Sequence, residues 1–171
     1  MSKSHITYER LRELLDYEPA TGLFTWKANR GGKAKIGSVA GNVITSGYIQ
    51  ITIDRKMYVA HRLAFLYMKG EWPRKEQVDH INRIKTDNRW CNLREASRLE
   101  NLMNTGIRCT NTSGRKGVSW SKSKSKWMVQ IQHDKIKYSL CGFENLEEAA
   151  AMFDGAARLL RGEFHNEGAA K

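Results

Sequence analysis

Residues 78–94 constrain this chain more than any other segment, because they place titratable and amide side chains within two short elements. The segment reads VDHINRIKTDNRWCNLR. Asp79 and Asn92 offer the hard oxygen atoms that Mg²⁺ and Mn²⁺ accept as ligands. The imidazole of His80 has an ordinary pKa near ~6.5, which suits it to taking a proton from water. These residue types predict a one-metal site for phosphodiester hydrolysis.

The spacing within this segment also indicates a second candidate amide side chain, that of Asn88. Asn88 and Asn92 are four residues apart, and Asp87 is of a type that often begins a helix as its N-cap. A helix that starts at Asp87 would project both amides from one face, toward the preceding hairpin. The alternative is that these side chains satisfy only their own backbone, as such residues commonly do in polar turns.

This spacing resembles the HNH endonuclease motif. In that ββα-metal unit an Asp-His pair ends one strand, an Asn follows the turn, and a further Asn or His opens the helix. Two upstream segments are similar to phage-type HNH homing endonucleases, LLDYEPATGLFTWK from residue 14 to 27 and AHRLAFLY from residue 60 to 67. The resemblance implies that His80 is the general base, that Asp79 and Asn92 hold one Mg²⁺ or Mn²⁺ ion, and that Asn88 orients His80.

Other polar residues near the motif are secondary candidates. His61 lies in an apolar helical pattern, which favours capping or packing over metal binding. Four cations are candidate phosphate contacts, namely Arg62, Arg83, Lys85 and Arg89.

The charge of the chain predicts a polyanionic partner. Lys and Arg number 29 against 18 Asp and Glu, for a formal net charge of +11. Such a surface binds nucleic acid through the release of condensed counterions, so we expect double-stranded DNA as the partner. No basic amphipathic helix indicates a membrane, and we expect no aromatic pair on adjacent strands that offers an obvious stacking platform for RNA. No organic cofactor is indicated.

The cysteines and the N-terminus indicate the compartment. Three cysteines, far apart and without a C-x-x-C pair, support neither a disulfide framework nor a zinc ribbon. The first ten residues lack the apolar core of a signal peptide. We therefore expect a reduced protein in the cytoplasm, which the phage resemblance makes the cytoplasm of a bacterial host.

Hydrophobic periodicity predicts an α+β fold in two domains. Residues 1–104 contain a short helix after Thr7, strands near Phe24 and from Tyr48 to Ile53, and a helix from His61 to Met68. Residues 105–114 are small and polar, as expected of a linker. Residues 115–168 contain three strand-like runs and a helix from Leu146 to Arg161.

The last of these segments resembles the AP2 DNA-binding domain, a three-stranded antiparallel sheet packed on one helix. The similarity spans residues 116–167, including GVSW, KWMVQIQ and LCGFENLEEAAAMFDGAAR. It implies that the exposed sheet face enters the major groove, where Gln130 and Gln132 are able to read adenine. Between residues 108 and 137 the chain has eight Lys or Arg residues and one acidic residue. The expected DNA contacts are Lys116, Ser119, Trp120, Lys122, Lys124, Lys126, Gln130, Gln132 and Lys137.

Together these patterns predict a metal-dependent HNH endonuclease with an AP2-like targeting module. The alternative is a DNA-binding regulatory protein that keeps the ββα unit as a scaffold and cuts no strand.

Overall fold

The computed structural model describes residues 5–32, 34–75, 77–107, 109–134 and 136–165. The chain divides into two compact units, Met1–Arg98 and Leu99–Lys171. The boundary falls before the expected domain end at Asn104, so the segment expected to be a linker belongs to the second unit. The expected end of the second domain at residue 168 lies outside the described residues.

The first unit begins with a helix and a hairpin. Helix α1 spans Tyr8–Leu14, and the hydroxyl of Thr7 caps it by accepting a hydrogen bond from Arg10 N at 3.2 Å. Strands β1, Leu15–Glu18, and β2, Leu23–Trp26, follow as an antiparallel pair. The leucine spacing of α1 would extend the helix to Leu15, but Leu15 pairs with Trp26 as the first residue of β1.

A three-stranded antiparallel sheet and a helix come next. The strands are β3, Asn42–Val43, β4, Ile49–Ile53, and β5, Lys56–Val59, in the order β3-β4-β5. Helix α2 spans Ala60–Lys69 and ends where Gly70 adopts a left-handed φ of 75°. The apolar face of α2 joins α1 and the strands in one buried cluster.

The polar segment of the sequence forms a second hairpin. Strand β6, Gln77–His80, pairs antiparallel with β7, Leu93–Ala96. The expected α-helix from Asp87 is absent, and residues Trp90–Asn92 form a single 3-10 turn. Only four residues separate Asn88 from β7, which leaves too little chain for an α-helix. The helix after these two strands is α3, Arg98–Met103, so the ββα order is β6, β7, α3.

The second unit is a sheet with one helix packed on it. Strands β8, Val118–Ser121, β9, Lys126–His133, and β10, Ile136–Phe143, are antiparallel in the order β10-β9-β8. Helix α4 spans Leu146–Arg161, as predicted, and a 3-10 turn follows at Gly162–Phe164. Val118, Val129 and Phe153 belong to a separate core that α4 shares with the sheet. Within the described ranges, no helix combines the length and apolar character needed to cross a bilayer.

Candidate active site

His80 and Asn88 form a buried hydrogen-bonded pair. The Nε2 atom of His80 lies 3.0 Å from Oδ1 of Asn88, and the two residues are 4% and 1% exposed. Since a carboxamide oxygen only accepts, this contact places the imidazole proton on Nε2. Nδ1 is then the basic nitrogen. The structure therefore brings Asn88 to the position expected of a residue that orients His80.

The surroundings of His80 keep its ring neutral. Burial lowers the pKa of His80 below its ordinary value. The hydrogen bond to Asn88 and the negative charges of Asp79 and Asp87 oppose this shift, but the effect of burial is the larger. A neutral imidazole at pH 7 is the form that accepts a proton.

Asn92 braces the loop between β6 and β7. Its Oδ1 accepts a hydrogen bond from Asn82 N at 2.9 Å, while its Nδ2 donates to Asn82 Oδ1 at 3.0 Å and to Asp87 O at 2.7 Å. The amide that was expected to bind metal is thus committed to the backbone and side chain of its own loop. These contacts favour the polar-turn interpretation for Asn92. Its amide oxygen accepts one hydrogen bond and has a second lone pair, so its role as a metal ligand stays a prediction.

The β1–β2 hairpin holds Asn88 in place. The hydroxyl of Tyr17 donates to Asn88 O at 2.6 Å, and Trp90 N donates to Pro19 O at 3.0 Å. Gly22, at φ 75°, lies directly against the backbone of Asn88, and an added Cβ would be 2.4 Å from the carbonyl carbon of Asn88. The position of Asn88 therefore depends on residues about seventy positions earlier in the chain.

Asp79 is the buried carboxylate of the site, and it is paired with Arg94. Asp79 and Arg94 are directly opposite each other in the β6–β7 register. The Oδ2 atom of Asp79 accepts from Nε of Arg94 at 3.0 Å and from Nη2 at 2.9 Å. Sequence analysis did not identify Arg94, although its place in β7, opposite a candidate ligand, would have indicated it once the hairpin register was known.

An aromatic cluster surrounds the His80 ring. The ring centroids of His61 and His80 are 5.0 Å apart in an edge-on arrangement, and Tyr48 lies 5.0 Å from His61 and 5.9 Å from His80. His61 is buried, and its Nδ1 atom has no hydrogen-bond partner among the described residues. Burial, with smaller electrostatic contributions from His80 and Arg62, lowers the pKa of His61 to about 3. His61 was a candidate for capping or packing rather than for metal binding, and its ring is packed against those of Tyr48 and His80.

The low pKa of His61 predicts a pH-dependent stability. The folded pKa of about 3 lies below the unfolded value of 6.5, so below pH 6.5 only the unfolded chain takes up the proton. The free energy of unfolding should fall as the pH drops from 6.5 toward 3, by up to about 1.4 kcal/mol per pH unit from this group. Urea unfolding between pH 7 and pH 4 should give a flatter profile for His61→Leu. His5→Leu, which removes an exposed imidazole, is the control, and an unchanged slope in His61→Leu would contradict the assignment.

Three of the four secondary cations lie between β6 and β7, and one lies elsewhere. Lys85 donates to Ser46 O at 2.8 Å and lies 4.9 Å above the Tyr48 ring. The guanidinium of Arg89 is hydrogen-bonded to Asp87, whose pKa it lowers to about 2. Arg83 lies on the exposed loop that follows β6. Arg62 is placed elsewhere, over the ring of Trp72 at 5.7 Å.

The donor set suits one loosely held divalent ion. The described residues contain no group of three or more His, Cys, Asp or Glu side chains that could enclose a metal. Mg²⁺ in phosphoryl-transfer sites commonly takes one or two carboxylates and completes its shell with water and substrate oxygens. Asp79 is such a carboxylate, and Asn88 Nδ2 and His61 Nδ1 are buried polar atoms without a protein partner among the described residues. These atoms fit a site that is completed by a hydrated ion and a phosphate.

The sheet of the second unit presents a polar face away from α4. Directly opposed residues share a face, and Val118 with Val129 marks the side that packs on α4. The other side carries most of the expected DNA contacts, namely Ser119, Lys126, Gln130, Gln132 and Lys137. Lys122 and Lys124 lie in the exposed turn between β8 and β9, and Lys126 is paired with Glu144.

Two expected DNA contacts are placed differently. Trp120 lies on the α4 side of the sheet, opposite Trp127, and the two rings contact edge-on at 5.1 Å. Adjacent strands therefore do carry an aromatic pair, contrary to the expectation above, and it lies on the side of the sheet that packs on α4. The expected position of Trp120 on the DNA-facing side is therefore wrong, because its strand alternates from Val118. The ammonium of Lys116 donates to Met103 O at 2.7 Å and to Thr105 O at 2.6 Å. Lys116 thus anchors the segment after α3 and is not presented on the sheet face.

Comparisons with known proteins identify the family. A family model described as HNH endonuclease matches residues 58–103, from β5 through α3. Protein 3.8 of Escherichia phage T7 is 32% identical over 95 residues, which cover 56% of this chain and 78% of the phage protein. An uncharacterized HNH endonuclease, L560, of Acanthamoeba polyphaga mimivirus is 29% identical over 120 residues, 70% of this chain and 61% of that protein.

Among solved structures, one of the HNH homing endonuclease I-HmuI, on DNA binding and cleavage, matches with 19% identity and a TM-score of 0.45, over 95% of this chain and 93% of that one. The family match contains His80, Asn88, Asp79 and Arg94. The chain belongs to one family with Protein 3.8 of phage T7, and it contains an HNH endonuclease domain.

Proposed function

We propose that the protein is a metal-dependent DNA endonuclease that hydrolyses phosphodiester bonds, with His80 as its general base. The observation that carries this proposal is the His80–Asn88 pair, which fixes the tautomer of a buried, neutral imidazole. The HNH family match over the same residues supports the class of reaction. A scaffold that only bound DNA would not require a preorganised base of this kind.

In the proposed reaction, Nδ1 of His80 takes a proton from the attacking water. Asn88 holds the ring through Nε2, so the basic nitrogen keeps one orientation while the water attacks phosphorus in line with the leaving oxygen. The aromatic contacts with His61 and Tyr48 restrict tilting of the ring. The exposed loop between β6 and β7, with Arg83 and Lys85, offers positive charge to the DNA backbone.

Asp79 would hold the divalent ion. When bound, a Mg²⁺ or Mn²⁺ ion supplies stabilisation for the charge that develops on the phosphate and the leaving oxygen. Asp79 follows from the donor chemistry as its protein ligand, because it is the only carboxylate next to His80 in β6. Asn92 keeps its bracing role in the loop.

The second unit is proposed to bind the DNA target. Its open sheet face carries amide and hydroxyl side chains that are able to hydrogen-bond base edges, flanked by lysines suited to phosphate. Three antiparallel strands packed on one helix are the arrangement that an AP2-like domain would use. The net charge of +11 favours the polyanionic partner that this role requires.

We predict that Asp79→Asn weakens activation by metal. The substitution keeps the size of the side chain and removes the charge, so the metal concentration that gives half-maximal cleavage should rise by at least about tenfold. Titration of Mn²⁺ in a cleavage assay measures this concentration. Asp87→Asn is the matched control, because Asp87 lies in the same segment and is bound to Arg89. Equal titration curves for Asp79→Asn and wild type would exclude Asp79 as a ligand.

A second prediction concerns the grip on DNA. Changing Lys122, Lys124 and Lys137 together to Gln should flatten the dependence of log K on log salt by about 2 to 3, since each lost phosphate contact on duplex DNA contributes roughly 0.9. Fluorescence anisotropy with a labelled duplex at several salt concentrations gives the slope. Arg158→Gln on α4 is the control for a charge on the other side of the sheet. An unchanged slope in the triple variant would show that these three lysines do not contact the DNA phosphates.

A further inference from the structure

The ion pair between Asp79 and Arg94 is buried. The two side chains are 5% and 11% exposed. The nearby pair of Asp87 and Arg89 is more open, because the side chain of Arg89 is 49% exposed. Solvent screens an exposed pair, whereas a buried carboxylate without a partner is strongly unfavourable. Asp79 therefore requires a cation in the absence of metal, and Arg94 supplies it.

A metal ion at Asp79 would change this balance. Arg94 binds one oxygen of Asp79, Oδ2, through two of its nitrogens. A divalent ion on the same carboxylate would place two like charges beside a single negative one, in a setting with little solvent. The ion and the guanidinium therefore compete for Asp79.

We propose that Arg94 is a stand-in cation that Asp79 exchanges for the metal ion, which turns the guanidinium toward an anionic oxygen of the DNA backbone. The inference rests on the proposed function, because it requires the metal at Asp79. Guanidinium groups bind phosphate oxygens as readily as carboxylate oxygens, and the Nε and Nη2 atoms that Arg94 directs at Oδ2 of Asp79 are the donors that such an oxygen would accept from. Arg94 is thus a positioning residue that makes metal binding and DNA binding interdependent.

The test measures Mn²⁺ affinity by calorimetry on the full-length protein without DNA. Arg94→Met removes the competing charge and keeps a long side chain, so it should bind Mn²⁺ at least tenfold tighter than wild type. Arg94→Lys keeps a competing cation and should stay close to wild type. Arg89→Met is the matched control and should change the affinity less than twofold. An Arg94→Met affinity equal to or weaker than that of wild type would overturn the exchange.

Thermal melting gives a second readout. Without metal, Arg94→Met should melt below wild type, because the buried charge of Asp79 loses its guanidinium partner. Saturating Mn²⁺ should raise its melting temperature by more than it raises that of wild type. An equal rise in both proteins would contradict the exchange.

An NMR measurement on the wild-type protein tests the exchange even if a variant fails to fold. The ¹⁵Nε signal of Arg94, assigned by its loss in Arg94→Lys, should move when diamagnetic Mg²⁺ is added. If Mg²⁺ binds and this signal stays in place, the exchange is wrong while the proposed metal site stands. If Asp79→Asn binds Mn²⁺ as tightly as wild type, the metal is not at Asp79, and both the site and the exchange are overturned.

Discussion

His80→Ala should lower the rate of DNA cleavage by about 10² to 10⁴, the range typical for the loss of a general base. DNA affinity should stay within about twofold of wild type. The reason is that the ring is buried and neutral, so it moves a proton and neutralises no phosphate. Single-turnover cleavage with enzyme in excess measures the rate, and anisotropy under the same conditions measures the affinity.

Two further variants show whether the loss is chemical. His5→Ala removes an exposed histidine from the same unit and should cleave like wild type. Asn88→Ala should cost less than His80→Ala, because the base is retained but its tautomer and orientation are no longer fixed by Oδ1. A His80→Ala protein that cleaves at the wild-type rate would remove His80 from the mechanism.

Gly22→Ala should destabilise the first unit by about 2–5 kcal/mol and lower cleavage as well. A non-glycine residue in the left-handed region costs about 1–2 kcal/mol, and overpacking adds typically 1–3 kcal/mol. The added Cβ would lie 2.4 Å from both Asn88 C and Arg89 N, so the backbone that carries Asn88 must move. Urea unfolding followed by tryptophan fluorescence gives the change in free energy.

Gly70 offers a matched control for this effect. Its φ is also 75°, but an added Cβ would meet no atom within 4 Å. Gly70→Ala should therefore show the conformational cost alone and leave the cleavage rate per folded molecule unchanged. Equal effects of the two substitutions on stability and cleavage would show that the contact of Gly22 with Asn88 does not position the site.

The His80–Asn88 pair was predictable because it depends on residues eight positions apart in one segment. The contacts that hold Asn88 in place were not predictable, since Tyr17 and Gly22 reach Asn88 from a hairpin about seventy residues earlier. No periodicity within residues 78–94 carries that information. Contacts between distant segments are set by the packing of the first core, which local patterns do not specify.

The segment around Asn92 shows why residue type and spacing did not predict the local structure of a short turn. An amide four residues after Asn88 suits a helix face, but the pairing of β7 with β6 begins at Leu93 and leaves room for only a 3-10 turn. The side-chain amide of Asn92 is then hydrogen-bonded to Asn82 and Asp87. Strand register likewise determines the side of the sheet on which Trp120 lies, because Trp120 pairs with Trp127. By contrast α4 was predicted from Leu146 to Arg161 because its apolar and alanine residues recur at helical spacing within one segment.

Plasmid cleavage by the wild-type protein tests the central claim most directly. Supercoiled plasmid should be converted to nicked or linear DNA in Mg²⁺ or Mn²⁺, and should stay intact with excess chelator. The same preparation of His80→Ala should leave the plasmid supercoiled in Mg²⁺ while it still binds DNA. Cleavage that persists in chelator, or that His80→Ala retains in full, would contradict a metal-dependent endonuclease built on this site.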